Sequence, residues 1–474
     1  MRSLNPLAIL FRKSLETEDL PNDWKSANVT PIFKKGSKAD GKNYRPVSLT
    51  SVVCKLFESL LRKQLINHLQ SNNLLSEHQH GFISGRSCTT NLLEVLDEWT
   101  QILEEGGSID VVYMDLMKAF DTVPHHRLLC KLEAYGIQGK VLAWIRSFLI
   151  GRRQRVVVSG QKSDWSAVTS GVPQGSVLGP ILFLVYVNDL PTCVRSGTKL
   201  FADDTKLYVR SDKPGATEKL QEDLEALESW ADNSQLRFHP DKCFIMKIGR
   251  SCPDSQYVMK KGSDKIVLAE TKVERDLGVL VDSQLAFKDH ISQAVAKSNK
   301  LLGIIRRSFV HLDEDTIRLL FKGIVRPVLE YGQAVWSPFK LGEQKRLESV
   351  QRRATRMIPG IRHLSYSKRL RRLSLPSLSH RRKRGDMIDV YKYLHGHYRT
   401  KFDMFCRNSG GRTRGHSMKL GKRYARLDVR KYFFANRVVD MWNGLPEEVV
   451  SACSVNAFKN RLDEHWKDLA FDYE

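Results

Sequence analysis

Apolar residues along the chain follow two rhythms, one repeating every three to four positions and one every two, and their order divides the first half into elements. A short strand at 29–33 and a returning strand at 43–49 enclose a Lys- and Gly-rich loop. From Ser51 to Asn67, Val53, Leu56, Phe57, Leu60, Leu61 and Leu65 recur at helical spacing, which predicts an amphipathic helix; a second follows over 90–103. The β-branched and aromatic run at 109–114 predicts a strand that ends at Asp115. Helical patterning resumes over 127–148, short strands follow at 155–158 and 167–168, and an apolar helix spans 177–187. Residues 199–209 read as a β-hairpin with two adjacent carboxylates at its tip, where Asp tolerates the backbone of a tight turn. Leu220, Leu224, Leu227 and Ala231 predict another helix, and 242–246 a closing strand. This alternation implies a sheet with helices on one face, presenting Asp115 and Asp203 from neighbouring strands.

Composition adds scale and compartment. A chain of 474 residues with 41% hydrophobic side chains builds more than one core and is not disordered. No apolar run approaches the roughly 18 residues that span a bilayer, and the N-terminus makes a poor signal peptide, so a soluble intracellular protein without membrane association is expected. The eight cysteines form no CxxC pair and no zinc-ligand spacing, which argues against a disulfide framework or a zinc finger.

Charge changes the picture more. The net charge is +23, and residues 341–430 alone hold 25 basic against 6 acidic side chains. A polyanionic partner explains that density, and a solvated basic surface is the alternative.

Candidate chemistry lies in three places. Asp203 and Asp204 repel each other and are comfortable only beside cations; they are either magnesium ligands or a solvated surface turn. Asp115 and Asp121, after the 109–114 strand, are each either a metal ligand or a cap for the following turn. Lys34, Lys35, Lys38, Lys42 and Arg45 surround Gly36 and Gly41, suited to draping positive charge over a triphosphate or to a solvated hairpin. The turn 170–176 joins Gly171, Pro173, Gln174 and Gly175, allowing close backbone approach to a ligand and offering an uncharged amide.

Three motifs in order, MDLMKAFD at 114–121, SGVPQGSVLGP at 170–180 and FADDTK at 201–206, strongly resemble the reverse transcriptases of non-LTR, LINE-type retrotransposons, closest to the jockey and chicken-repeat branch. DWKSANVTPIFKKG and NYRPVSLTSVVCKL before them, and DLGVLVDSQLAFKDHI, VRPVLEYGQAVW, LESVQRRATRMI and VVDMWNGLPEEVV after them, extend the resemblance over nearly the whole chain. It implies an α+β right-hand polymerase: fingers at 1–105, a palm with an antiparallel sheet at 106–288, a helical thumb at 289–360, and a basic, mostly helical C-terminal domain at 361–474. It implies Asp115, Asp203 and Asp204 as ligands of two Mg²⁺ ions, with Mn²⁺ a possible substitute. Lys34 or Lys35 with Arg45 would grip the triphosphate, Gln174 would contact the nucleotide, Phe120 would exclude a 2′ hydroxyl, and Lys242 would serve the departing pyrophosphate. The implied activity is RNA-directed DNA synthesis in retrotransposition, on template RNA, a DNA primer and deoxynucleoside triphosphates. Work in the nucleus, with a cytoplasmic ribonucleoprotein phase, goes with it. The resemblance leaves the oligomeric state open.

Departures from the family pattern are Asp276, where an aromatic is common in the primer-grip motif, Met117 for a small residue, and His239 for Asn. The upstream finger motif and an endonuclease domain are also missing, consistent with a fragment or a truncated copy. A non-catalytic RNA-binding remnant is the competing expectation, and an RNA-templated RNA polymerase a nearer rival that Phe120 disfavours. Arg381, Arg382, Lys383 and Arg384, beside Arg371 and Arg372, are expected to form a nucleic-acid clamp rather than a nuclear localisation signal or a solvated face. Tyr391, Tyr393, Tyr398, Phe402 and Phe405 follow, suited to stacking on bases or to core packing.

Overall fold

The computed structural model of the protein describes residues 4–400, 403–407 and 415–473. At its centre lies a five-stranded sheet in the order Ala269–Glu270, Phe244–Ile248, Ile109–Met114, Asp204–Arg210, Gly197–Phe201. All neighbours are antiparallel except Ala269–Glu270 against Phe244–Ile248. The register sets Met114 opposite Thr205, so the chain leaves one strand at Asp115 beside the turn from which the next begins.

The expectation of helices on one face only is corrected, because both faces are covered. Val111, Tyr208 and Met246 enter one core with Leu92 and Trp99 of the helix Cys88–Glu104, whereas Val112, Leu207 and Ile245 enter another with the helices Gly179–Val187 and Ala216–Asn233. Successive strand residues point to opposite faces, so a strand buried on both reads as an unbroken apolar run, as 109–114 does.

A second sheet carries the basic hairpin. Ser26–Phe33 pairs antiparallel with Tyr44–Leu49, Ile32 facing Arg45, and parallel with Arg153–Val158. The helix Val52–Ser71 buries Phe57, Leu61 and Leu65 as its pattern predicts, but Leu56 and Leu60 lie on its solvent side, 50% and 55% exposed. The helical stretch at 127–148 is two helices, His125–Ala134 and Gly139–Leu149, broken where Gly136 adopts a positive φ of 80°.

Beyond residue 287 the described chain is mostly helical. Lys288–Ser308, Leu341–Arg356, Leu378–Leu394 and Val455–His465 pack around Trp336, Tyr391, Trp442 and Phe458. This core is continuous with Leu92, Leu93 and Trp99, and Arg430 reaches back to form a buried ion pair with Asp97 at 2.7 Å. Among the described residues no helix is long and apolar enough to cross a membrane.

Candidate active site

The site is built on a two-residue turn. Phe201 pairs with Asp204, leaving Ala202 and Asp203 to reverse the chain. Positive φ falls on Ala202, at 57°, and not on an aspartate, so the expected reason for Asp at the tip is corrected.

Asp115 follows the adjacent strand, where His239 N–H donates to its backbone carbonyl at 2.8 Å and Lys242 Nζ donates to its Oδ2 at 3.0 Å. The three expected carboxylates are therefore neighbours, and Asp203 and Asp204 are disturbed by the others. Burial first, and then the Asp115 carboxylate, push Asp203 above the ordinary range, against its own backbone amide, Arg45 and Lys34. Asp204 keeps an accessible edge. Even so, the surrounding walls, then Asp203, Asp276 and Asp115, push it up to about 6 against the pull of Lys206.

A cleft of about 470 Å³ opens at this sheet edge, lined by Asp115, Asp204, Lys206, Lys242 and Asp276 and reached by Lys35 of the basic hairpin. Lys206 and Asp276, both about 5% exposed, form an ion pair across the cleft floor. Asp276 thus occupies its unusual position as the partner of a buried lysine.

On the hairpin side, Arg45 Nε donates to Gln174 Oε1 at 3.3 Å, and Gln174 Nε2 donates to Asp121 Oδ1 at 2.9 Å. Lys34 and Arg45 act electrostatically on both Asp121 and Asp203, so the loop, the amide and the carboxylates share one field. Asp121 is turned to Gln174, an orienting role that its sequence context does not reveal. The close approach allowed by Gly175 is to protein: with φ at 118°, it presses on the Ser48 carbonyl, and Ser48 N–H donates to the Gln174 carbonyl at 2.7 Å. Phe120 stacks on Phe183 with ring centroids 4.4 Å apart and meets Phe82 edge-on at 6.4 Å.

Crowded hard oxygen donors, two of them pushed toward their neutral forms, suit a divalent cation. Among the described residues no three His, Cys, Asp or Glu side chains form a ready metal cage. Magnesium held by one or two carboxylates and substrate phosphates requires none.

The basic C-terminal run is placed differently. Arg381 pairs with Glu330, Arg384 with Asp463, Arg371 with Asp472 and Arg372 with Glu314, while Arg382 is 5% exposed. Four of these guanidiniums face carboxylates and a fifth is buried, so among the described residues Lys383 is the exposed member of the run without an ion pair. Tyr391 and Phe405 are core residues, Tyr393 packs against that core, and Tyr398 donates to Asp389; Phe402 lies outside the described residues.

Carboxylates at a sheet edge, faced by a basic hairpin and a glutamine turn, are an arrangement suited to nucleotidyl transfer. The profile of the family described as reverse transcriptase (RNA-dependent DNA polymerase) matches residues 32–304, more than half of the chain, and the chain belongs to that family. With it comes a polymerase fold of mixed α and β content; the family is generally divalent-metal dependent. The chain is 29% identical over 378 residues to the RNA-directed DNA polymerase from mobile element jockey of Drosophila melanogaster, covering 76% of this chain and 40% of that protein. It is 28% identical to the probable RNA-directed DNA polymerase from transposon BS (76% and 41%), and 27% to that from transposon X-element (75% and 40%), of the same fly. The chain thus spans about two fifths of these curated relatives. Telomerase from Candida tropicalis with a fragment of telomeric RNA aligns over 74% of this chain and 61% of its own at 11% identity and a TM-score of 0.39, too loose a likeness to argue from.

Proposed function

We propose that this chain extends a DNA primer on an RNA template, as the polymerase of a non-LTR retrotransposon. The observation that carries the reading is the convergence of Asp115, Asp203 and Asp204 opposite Lys34, Arg45 and Gln174. In this reading residues 1–105 are the fingers, 106–288 the palm, 289–360 the thumb, and 361–474 a basic C-terminal domain. Template RNA, primer DNA and deoxynucleoside triphosphates are the partners, and the nucleus is the place of action.

Asp115, Asp203 and Asp204 would hold two Mg²⁺ ions, for which Mn²⁺ substitutes. Such ions, when bound, lower the pKa of a primer 3′ hydroxyl and neutralise triphosphate charge. Lys34 and Arg45 hold the triphosphate from the hairpin, Arg45 with a fork matched to phosphate oxygens. Gln174, fixed by Asp121, lays its amide against the nucleotide. Phe120, braced on Phe183, fills the space a 2′ hydroxyl needs. Lys242, which donates to Asp115, would serve the departing pyrophosphate.

Primer extension on poly(rA) with oligo(dT), with and without magnesium, tests the reading. Magnesium-dependent synthesis is expected; its absence with folded protein would instead mark a non-catalytic RNA-binding remnant.

A further inference from the structure

The loop 76–87 meets the site so far described only through Phe82 against Phe120, yet its backbone is built against the turn that carries Asp203. Gln79 is 3% exposed, and its amide clasps Ala202 from both sides. Its Oε1 accepts from Ala202 N–H at 2.8 Å, and its Nε2 donates to the Ala202 carbonyl at 3.3 Å. The same Oε1 accepts from Gly81 N–H at 2.8 Å, and a Cβ on Gly81 would stand 2.5 Å from the Ala202 nitrogen. Only a glycine lets this backbone come so close.

Ala202 needs such support. A left-handed alanine brings its Cβ too close to the following carbonyl oxygen, and glycine is the usual residue at a first turn position of positive φ. A primary amide offers a donor and an acceptor together, matching a backbone N–H and C=O at once, whereas a residue kept only for packing needs neither. The loop is stiffened in turn by Arg86, whose Nη1 donates to the carbonyls of Ser76, Glu77 and Gln79 at 3.0, 3.1 and 2.6 Å.

We propose that Gln79 is a positioning residue for Asp203, holding Ala202 left-handed so that the carboxylate stays at the sheet edge beside Asp115. The role in catalysis rests on the polymerase reading above; the clasp itself does not.

Two measurements separate them. In Gln79→Met, hydrogen exchange at the Ala202 amide should quicken about tenfold for the lost bond, with the strand amides of Leu207 and Tyr208 unchanged. Arg86→Lys, at a half-buried site, should shift the Ala202 amide in the same direction by less and keeps the test alive should Gln79→Met fail to fold. In primer extension, kcat of Gln79→Met should fall about a hundredfold, the scale of a small misplacement of a catalytic group, with deoxynucleotide KM within about threefold. Adding Ala202→Gly, which adopts the left-handed turn unaided, should then recover about tenfold of the loss, a rescue that a packing role would not permit. Unchanged Ala202 exchange in the folded variants overturns the clasp, whether or not the wild type polymerises. Altered exchange with an activity loss that Ala202→Gly leaves untouched overturns the positioning role.

Discussion

Two charge-rich stretches dominate this chain, and the structure treats them oppositely. At the sheet edge, Asp115, Asp203 and Asp204 crowd together, with Lys242 the one cation in direct contact among the described residues, and two of the three carboxylates are pushed toward their neutral forms. In the helix Leu378–Leu394, Arg381 and Arg384 have found carboxylates and Arg382 has been buried. Charge left unneutralised is destabilising and is kept where a ligand of opposite charge will complete it. Charge that has found its partner within the chain is architecture. Density along the sequence does not tell the two apart.

The largest effect should come from the unneutralised side. Asp203→Asn is expected to lower extension at least about a hundredfold to a thousandfold, the usual scale for removing a key electrostatic contact, while leaving the melting temperature essentially unchanged. Extension within tenfold of wild type would break the comparison at its first term, because the carboxylate would then be as structural as the arginines. Next in size, Phe120→Ala should raise incorporation of ribonucleotides relative to deoxynucleotides by about tenfold in competition assays, the ring no longer filling the 2′ position. Unchanged discrimination would return Phe120 to the stack with Phe183 as ordinary core.

Much of this site was legible, for a definite reason. Strand 109–114 announces itself by its apolar run, the hairpin by carboxylates amid apolar residues, and the grip by lysines about glycines; each signal is local. What escaped depends on contacts made far along the chain. Gln79 lies 123 residues from Ala202, and the partners of Arg381, Arg384 and Arg371 lie 51, 79 and 101 residues away. No window of sequence joins them. The exposed Leu56 and Leu60 failed for another reason: helical spacing marks an apolar stripe without saying how much of its width a neighbour covers.

A smaller effect sharpens the acidic side. Asp204 is raised from an ordinary value of 3.8 to about 6, so the folded protein binds this proton more readily than the unfolded chain. Stability from this group is full below the unfolded value and is lost as pH climbs through about 6. In divalent-free buffer, Asp204→Asn should therefore raise the melting temperature at pH 8 by no more than about 2 °C, since solvent access screens the repulsion, and the gain should vanish near pH 4. The same substitution should impair extension. A lower melting temperature at pH 8 would show that Asp204 is held by its surroundings rather than strained by them.

The smallest expected effect tests the basic side directly. Lys383 is exposed and makes no ion pair among the described residues, whereas Arg384, one position on, is held by Asp463. If phosphate contacts are made only by free cations, Lys383→Ala should reduce the slope of log RNA affinity against log salt by about 0.7 to 0.9, the share of a single phosphate contact, and weaken all sequences alike. Arg384→Ala should leave that slope where it was and register instead as a small loss of thermal stability, because an exposed pair contributes about 1 kcal/mol at most. The two substitutions remove the same formal charge from adjacent positions of one helix, so a difference between them reports pairing and not net charge. Equal slopes lost in both would mean that Arg384 releases Asp463 to meet RNA, and that the charges of this helix are held in reserve rather than spent.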